Sequence, residues 1–207
     1  MGRPGNAQSR LIAMAMALMY VRGYTAVGVH EICTQAGVYK GSFYHFFPSK
    51  QALVLAVIDT YGAHIRGLWE DVMTTDGSLR ERLQRVFAHT YSVHDQLLTG
   101  SGQLYGCPLG NLALELGGQD PVVRQKLHAM FSAWARVIER SLREAMASGA
   151  LPALDPVTTA QTVVASFEGV MMLAKTQQTP EVLTQLAHGA VALVEAAAGA
   201  SLSAEHG

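Results

Sequence analysis

Two cysteines and eight histidines are the side chains of this chain whose chemistry could support catalysis or metal binding. The histidines show no HExxH or comparable spacing with thiol or carboxylate partners, so we expect no metal site and no cofactor. Cys107 could act as a nucleophile with His89, His94 or His128 as its base, but the spacing provides neither that base nor an oxyanion site. A cysteine-dependent enzyme is therefore a remote alternative. Two cysteines also make no disulfide framework, which favours a reducing cytoplasm over secretion.

A second group of polar side chains follows a pattern that is typical of two short helices joined by a tight turn. In residues 32–43, ICTQAGVYKGSF, the small residue Cys33, the turn residue Gly37 and the apolar anchor Phe43 have helix-turn-helix spacing. We interpret Cys33 as structural because it fills the small-residue position. The second helix carries hydrogen-bond donors and acceptors that suit the major groove of DNA and its phosphates. They are Tyr39, Lys40, Ser42, Tyr44 and His45.

The charge distribution also indicates an anionic partner. The chain of 207 residues has a net charge of −1. Of its residues, 49% are apolar and 15% are charged, and this composition is typical of a packed protein rather than a disordered one. Residues 1–50 nevertheless carry five basic side chains and one acidic side chain. A basic head on an acidic body predicts that the head binds nucleic acid. The basic residues are Arg3, Arg10, Arg22, Lys40 and Lys50, against Glu31.

Apolar residues recur at the helical period along most of the chain, and no run alternates as a β-strand would. We therefore predict an all-α fold of nine helices, with breaks at Gly, Pro, Ser and Asp residues and with Ser49 capping the fourth helix. The first helix ends at Arg22, before Gly23. The others cover about residues 29–36, 40–46, 50–74, 79–98, 104–116, 121–147, 157–177 and 181–198.

The apolar stretch of residues 11–21 also resembles part of a signal peptide, because arginines precede it. It lacks a convincing small-x-small cleavage site, and no later run reaches the ~18 apolar residues of a membrane span. We prefer an amphipathic helix and expect a cytoplasmic chain with no membrane partner. The apolar face of that helix consists of Leu11, Ile12, Ala15, Leu18 and Met19.

Residues 23–53, GYTAVGVHEICTQAGVYKGSFYHFFPSKQAL, resemble the DNA-binding domain of TetR/AcrR-family transcriptional regulators. The resemblance is strong over about the first 55 residues and weak in detail afterwards. It implies a helix-turn-helix DNA-binding domain over residues 1–48 and a ligand-binding and dimerisation domain over residues 49–207. It also implies a homodimer, by family habit a repressor, that a small-molecule inducer releases from a palindromic DNA operator.

The resemblance assigns DNA contacts residue by residue. Lys40, Gly41 and Ser42 match the family's lysine-glycine-small stretch, where the backbone approaches DNA and Gly avoids a clash. Tyr44 matches a phosphate or sugar contact, and Lys50 matches a lysine that touches phosphate. Such contacts position the protein and make its affinity depend on salt, but they do not by themselves specify sequence.

Three further head residues complete the predicted DNA contacts. His45 is placed to reach a base edge or a phosphate. Gly28 stands where the family usually has Thr or Ser, so it can cap the second helix but loses a hydroxyl contact to phosphate. Tyr39 replaces a small hydroxyl residue, and its phenol either extends the DNA contact or is simply exposed in a loop.

Residues 105–116, YGCPLGNLALEL, resemble a run in part of the same family, including members that respond to electrophiles or oxidants through a cysteine at this place. A thiol at a helix N-terminus loses its proton more easily, so Cys107 is the candidate sensor. The alternative is a small buried structural residue. Lys175 either lies near Cys107, where its amine could lower the thiol pKa or trap an oxidised sulfur, or is a surface lysine.

Large apolar side chains of the body could also line a cavity for a hydrophobic or aromatic ligand. A sensor that binds such a ligand non-covalently, with Cys107 structural, is the main alternative to thiol sensing. We expect about half of the candidates to be ordinary core residues instead. The candidates are Trp69, Tyr91, Tyr105, Phe131, Trp134, Phe167 and Met171.

The last two helices are rich in small apolar residues, which let helices approach closely. We predict that they pair with a second copy of the chain in a four-helix bundle, with packing inside one chain as the alternative. An inducer or Cys107 modification would tilt the fourth helix and change the spacing of the two heads, about 34 Å in a DNA-bound dimer. The small residues are Ala160, Val163, Val164, Ala165, Ala187, Ala190, Val191, Ala192, Ala196 and Ala197.

Overall fold

The computed structural model describes the backbone of residues 4–204 and the side chains of residues 7–196. Over this range the chain forms helices joined by turns and contains no β-strand, which confirms the predicted all-α fold. Arg3 and the side chain of Ala197, which belong to the predictions above, lie outside the described residues. The helices are α1 (Pro4–Arg22), α2 (Val29–Ala36), α3 (Lys40–Phe46), α4 (Lys50–Met73), α5 (Leu79–Ser101), α6 (Pro108–Leu116), α7 (Pro121–Ala147), α8 (Pro156–Gln177), α9 (Val182–Gln185) and α10 (Ala187–Ala204).

The helix bounds differ from the sequence prediction in α5, which continues to Ser101 rather than residue 98, and in the sixth and ninth helices. The sixth helix begins at Pro108 rather than near residue 104, because Gly106 has a φ of 76° and Cys107 takes the N-cap position before a proline. The predicted ninth helix is divided into α9 and α10 at Leu186. Its φ of −88° and ψ of −6° depart from the values of a regular α-helix, about −63° and −42°. Neither proline nor glycine marks that division in the sequence.

The chain divides into two compact units. The first unit comprises Met1–Ala63 and Cys107–Met130, and the second comprises His64–Gly106 and Phe131–Gly207. The helices α4 and α7 therefore each contribute residues to both units. The predicted functional domains, residues 1–48 and 49–207, concern DNA and ligand binding as well as packing, and they stay a prediction.

The first unit is built on α1, which packs against α2, α3 and α6. Leu11, Ala15 and Met19 are buried along one side of α1, as the predicted amphipathic pattern requires. The helix ends at Gly23, whose φ of 84° only glycine adopts easily, and its N–H donates to the Met19 carbonyl oxygen at 2.8 Å. Ser49 caps α4 by accepting the Ala52 N–H at 3.0 Å, as predicted.

The second unit has an aromatic centre. Trp69 of α4 stacks on Trp134 of α7 with ring centres 6.0 Å apart, and it meets the edge of Phe167 of α8 at 5.2 Å. Phe87 of α5 lies 5.5 Å from Phe167 on another side. These rings bring four helices together on one apolar cluster, which we refer to as the aromatic cluster.

The helix α8 is long and apolar enough, by length and composition alone, to cross a membrane. The sequence prediction recognised no such run, because polar residues such as Thr162 and Ser166 interrupt it. In the fold, eight residues of α8 are buried against other helices of the second unit, as in a core helix. They are Thr159, Ala160, Val163, Val164, Phe167, Val170, Met171 and Ala174.

Candidate nucleic-acid interface and sensor cysteine

The helices α2 and α3 form the predicted helix-turn-helix. Gly28 is the N-cap of α2, and Gly37 ends that helix in the left-handed region with a φ of 61°. The Val38 N–H donates to the Cys33 carbonyl oxygen at 2.9 Å, which closes the turn. Cys33 and Phe43 are both buried, and so they fill the small-residue and anchor positions between the helices.

The outward side of α3 carries the predicted DNA contacts in solvent. Tyr39, the N-cap of α3, is 89% exposed and Tyr44 is 52% exposed. Lys40 and His45 are exposed as well, and Ser42 is half-buried. This side of α3 therefore presents both aromatic rings and hydrogen-bonding groups to solvent, which are the groups that a DNA-binding surface uses.

Neither packing nor a positive φ requires glycine at Gly28, the N-cap of α2, or at Gly41 of α3. A Cβ added at Gly28 or at Gly41 would meet no atom within 4 Å, and neither residue has a positive φ. Packing and backbone geometry therefore leave both positions open. A partner that approaches the backbone closely is one reason for glycine there.

Arg10 of α1 is a basic residue that the predicted DNA contacts did not include. A Cβ at Gly37 would lie 3.5 Å from Nη1 of Arg10, so this guanidinium lies beside the turn between α2 and α3. Arg22 instead pairs with Glu31 and donates to the Ala26 carbonyl oxygen at 3.0 Å. The charge pattern pointed to Arg10, but only the fold places its guanidinium beside the turn that precedes α3.

Lys50 at the start of α4 has protein partners in this structure. Its Nζ donates to the Tyr24 carbonyl oxygen at 2.5 Å and lies 4.0 Å from the centre of the Tyr24 ring. Burial lowers the pKa of Lys50, while the nearby carboxylate of Glu115 acts in the opposite direction. The phosphate contact assigned to Lys50 stays a prediction.

Glu115 of α6 was missed by the sequence reasoning. Its two carboxylate oxygens accept the backbone N–H groups of Tyr24 and Thr25, each at 2.7 Å. Burial tends to raise the pKa of Glu115, but hydrogen bonds from Thr25 and Tyr24 and the charge of Lys50 outweigh it, so the pKa is lowered. The available signal was one acid within the apolar run LALEL, whose partners lie about 90 residues earlier.

Cys107 is the N-cap of α6, as its predicted place at a helix N-terminus requires. Its Sγ accepts the Gly110 N–H at 3.4 Å, and the residue is 5% exposed. Its sensor role stays a prediction. Cys33, by contrast, is buried in α2, where burial raises the pKa of its thiol although Lys40 acts in the opposite direction.

Lys175 is exposed near the end of α8, in the second unit. A Cβ built on Gly106 would lie 3.2 Å from Cδ of Lys175, so the stem of this lysine covers that glycine. Both readings of Lys175 from the sequence therefore remain predictions.

The predicted ligand residues have different surroundings in the second unit. Trp69, Trp134, Phe167 and Met171 are buried, and the first three belong to the aromatic cluster. Phe131 is half-buried and lies 5.3 Å from Trp134, ring centre to ring centre. Tyr91 and Tyr105 are also half-buried. A ligand role for these residues stays a prediction.

One cavity of about 520 Å³ lies elsewhere in the second unit, between the start of α5, the end of α7 and the middle of α10. Its walls include Leu83, Arg80 and Val194 and none of the predicted ligand residues. Among the described residues there is no group of three or more His, Cys, Asp or Glu that could hold a metal ion.

Comparison with known proteins identifies both parts of the chain. Residues 11–57 match a family model described as bacterial regulatory proteins, tetR family. Residues 79–190 match a second model, the tetracyclin repressor-like C-terminal domain. Together the two models cover the head and most of the body.

Individual relatives agree with these models. The transcriptional regulator AcuR of Cereibacter sphaeroides is 33% identical over 86% of this chain and 80% of its own length. The repressor NemR of Escherichia coli is 27% identical over 88% of this chain and 92% of its own. A solved TetR regulatory protein from Rhodobacter sphaeroides superposes with a TM-score of 0.74 at 28% identity, over 88% of this chain and 96% of that one.

These matches confirm the resemblance found in the sequence, and the class of function is that of a DNA-binding regulator rather than an enzyme. The chain belongs to the TetR family of helix-turn-helix transcriptional regulators.

Proposed function

We propose that this protein is a cytoplasmic homodimeric repressor that binds a palindromic operator and leaves it when Cys107 is modified or a small molecule binds. The observation that carries the proposal is the helix-turn-helix of α2 and α3, whose polar side chains face solvent. Repression is supported by the relative NemR, which is named a repressor. A reducing compartment suits Cys33 and Cys107, which are both in the thiol form.

On the proposed recognition surface, some residues position the protein on the DNA backbone and others extend toward the bases. Lys40, Ser42 and Tyr44 contact phosphate or sugar, while the backbone at Gly28 and Gly41 approaches the DNA closely. Tyr39 and His45 extend from the same side of α3 toward base edges or flanking phosphates. The open space around both glycines and the exposure of both tyrosines support this assignment.

Dimerisation through the last two helices is supported by apolar side chains that the single chain leaves in solvent. Met172 and Leu173 of α8 and Leu193 of α10 are exposed, and so are the small residues Ala165 and Ala192. Apolar side chains that a single chain leaves in solvent are available for contact with another protein. Other small residues of the predicted set are buried within the chain, as the alternative packing requires: Ala160, Val163, Val164, Ala187, Ala190 and Val191.

The sensor is Cys107. Its N-cap position exposes the sulfur to the positive end of the α6 dipole, which favours the reactive thiolate. Because the residue is almost completely buried, a reagent reaches the thiol only when this segment opens. A structure of NemR is described as its reduced form, which supports a test of thiol chemistry in this chain.

The alternative is a non-covalent hydrophobic ligand, with Cys107 structural. The aromatic residues Trp69, Trp134 and Phe167 favour it, because large apolar side chains also line ligand sites in helical bodies. Tyr91, Tyr105, Phe131, Met171 and Lys175 complete the candidate set.

Release from DNA requires only a modest coupling between the sensor and the heads. A coupling of about 1 to 3 kcal/mol changes affinity roughly 5- to 150-fold, which is enough for regulation. The proposed transmitting element is α4, a single helix that carries Lys50 in the first unit and Trp69 in the second.

The experiment is fluorescence anisotropy on the promoter DNA beside the protein's own coding region. Wild type, Cys107→Ser and Cys33→Ala are each measured with and without N-ethylmaleimide. Because the chain has only two cysteines, Cys33→Ala leaves Cys107 as the single target. Thiol sensing predicts that alkylation releases wild type and Cys33→Ala but not Cys107→Ser.

Two results contradict parts of the proposal. If all three proteins stay bound after alkylation, Cys107 is not the sensor, and the non-covalent alternative applies. If wild type fails to bind any promoter fragment more tightly than random DNA, the operator-binding proposal itself is wrong.

A further inference from the structure

The turn between α1 and α2 is held by charged side chains from two other helices, all within the first unit. Glu115 of α6 accepts the N–H groups of Tyr24 and Thr25, and Lys50 of α4 donates to the Tyr24 carbonyl oxygen. The carboxylate and the ammonium therefore hold the same peptide segment through its donors and its acceptor. We refer to Glu115, Lys50 and the backbone of Tyr24 and Thr25 as the turn clamp.

The turn is shaped to admit this carboxylate. Gly23 has a φ of 84°, and a Cβ at that position would lie 2.9 Å from Oε2 of Glu115. Two successive N–H groups that point to one anion form a favourable site for negative charge. The lowered pKa of Glu115 is consistent with that arrangement, since its hydrogen bonds and Lys50 favour the ionised form.

Two more polar contacts join the neighbouring segments of the same unit. Gln51 of α4 donates to the Asp120 carboxylate just before α7 at 2.7 Å, and Lys126 of α7 pairs with Asp59 of α4 at 2.5 Å. The helix α6 also packs against α1. The turn clamp thus joins the head to a surrounding framework of α4, α6 and the start of α7.

The turn clamp lies directly before the helix-turn-helix. The turn leads directly into α2, and α2 packs against α3 through Cys33 and Phe43. A small rotation of the turn therefore moves α3 as well. Lys50, meanwhile, has its ammonium on a carbonyl oxygen and beside a carboxylate, so its charge is already partly balanced.

We propose that Glu115 and Lys50 are positioning residues for DNA binding, which fix the α1–α2 turn and so aim α3, and that Lys50 acts through Tyr24 rather than on a DNA phosphate. This inference rests on the proposed operator binding of the head, and it is independent of the role of Cys107. It replaces the phosphate contact expected for Lys50 and gives a function to Glu115, which the sequence left without one.

The test compares Glu115→Gln, Lys50→Met and the double variant with wild type. Operator affinity is measured by anisotropy between about 50 and 200 mM salt, where each lost phosphate contact lowers the slope of log affinity against log salt by about 0.9. Lys50→Arg is the rescue variant, because a guanidinium can still donate to the Tyr24 carbonyl oxygen. Glu139→Gln, in a surface pair with Arg143, is the matched control.

Positioning predicts that either single substitution weakens binding roughly tenfold at every salt concentration, about the loss of one charged hydrogen bond. The salt slope stays at its wild-type value, the double variant is no weaker than the weaker single one, and Lys50→Arg restores affinity. Amide hydrogen exchange at Tyr24 and Thr25 becomes faster in Glu115→Gln. Circular dichroism at the assay temperature shows each variant fully folded.

Several results would overturn the inference. If Lys50→Met lowers the salt slope by about 0.9, Lys50 contacts a DNA phosphate, and the inference is wrong. If Glu115→Gln binds the operator with wild-type affinity, Glu115 has no role in positioning the DNA reader. If its operator affinity falls only in proportion to the fraction of unfolded protein, the clamp contributes to stability alone. If wild type binds no operator, both the proposed function and this inference are wrong. If wild type binds the operator and the variants bind it equally well, only the inference is wrong.

Discussion

The two units of this protein are each stabilised by a different kind of contact, the first by the turn clamp and the second by the aromatic cluster. In the first unit, Glu115 and Lys50 fix a turn through hydrogen bonds and charge. In the second, Trp69, Trp134 and Phe167 fix helices through apolar contact. Polar contacts depend on pH and geometry, whereas apolar burial depends mainly on area and shape. The contacts beside the DNA reader are therefore the ones that should respond to pH.

The largest effect is expected in the aromatic cluster. Trp134 is fully buried and lies against both Trp69 and Phe131, so Trp134→Ala leaves a large cavity. We expect the free energy of unfolding to fall by about 3 to 5 kcal/mol. Chemical denaturation measures it, with Trp134→Phe as the milder control. A loss below about 1 kcal/mol would mean that the cluster contributes little to stability.

The turn clamp should instead respond to acid. The pKa of Glu115 is lowered in the folded state, so its contribution to stability is complete above the ordinary glutamate pKa of about 4.3 and is lost as pH falls through the lower folded value. The difference in unfolding free energy between wild type and Glu115→Gln should therefore be constant near neutral pH and shrink on acidification.

Denaturation of both proteins between about pH 7 and pH 3 checks this expectation. Other carboxylates with lowered pKa values, such as Asp120, titrate in both proteins and cancel in the difference. A difference that stays constant to the lowest pH would show that the Glu115 charge does not stabilise the turn.

The helices and the reader could be predicted from the sequence because their signals are local. Gly23 and Gly37 end helices in the left-handed region, and Ser49 caps α4 through a residue three positions away. Phe43 follows the turn at the spacing that anchors α3. Each of these signals lies within a few residues of the structure that it specifies, so the chain order alone reveals it.

The turn clamp could not be predicted in this way. Its partners are far apart in the chain, and no periodic pattern brings Glu115 to Tyr24 and Thr25. The division at Leu186 was missed for a different reason, since neither proline nor glycine marks it in the sequence. Three members of the aromatic cluster, Trp69, Trp134 and Phe167, were among the predicted cavity residues. Phe87 was not, and the contacts between the four rings required the fold.

A smaller effect is expected from a local cap in the second unit. Ser78 accepts the Glu81 N–H, and the Glu81 carboxylate accepts the Ser78 N–H in return, which forms a capping box at the start of α5. Ser78→Ala should lower the free energy of unfolding by about 1 kcal/mol. Ser78→Thr, which keeps a hydroxyl, is the control for denaturation. Equal losses in both variants would rule out the cap as the cause.

The smallest effect separates the turn clamp from an ordinary ion pair. Arg80 and Glu195 are joined across the second unit, and both side chains are 49% exposed. Water and salt screen such a pair, so a double-mutant cycle with Arg80→Gln and Glu195→Gln should give a coupling of about 0 to 1 kcal/mol. The Glu115 and Lys50 cycle should give the larger coupling because its partners share a half-buried backbone segment. Equal couplings, both lost in high salt, would reduce the clamp to a surface ion pair and remove the contrast between the two units.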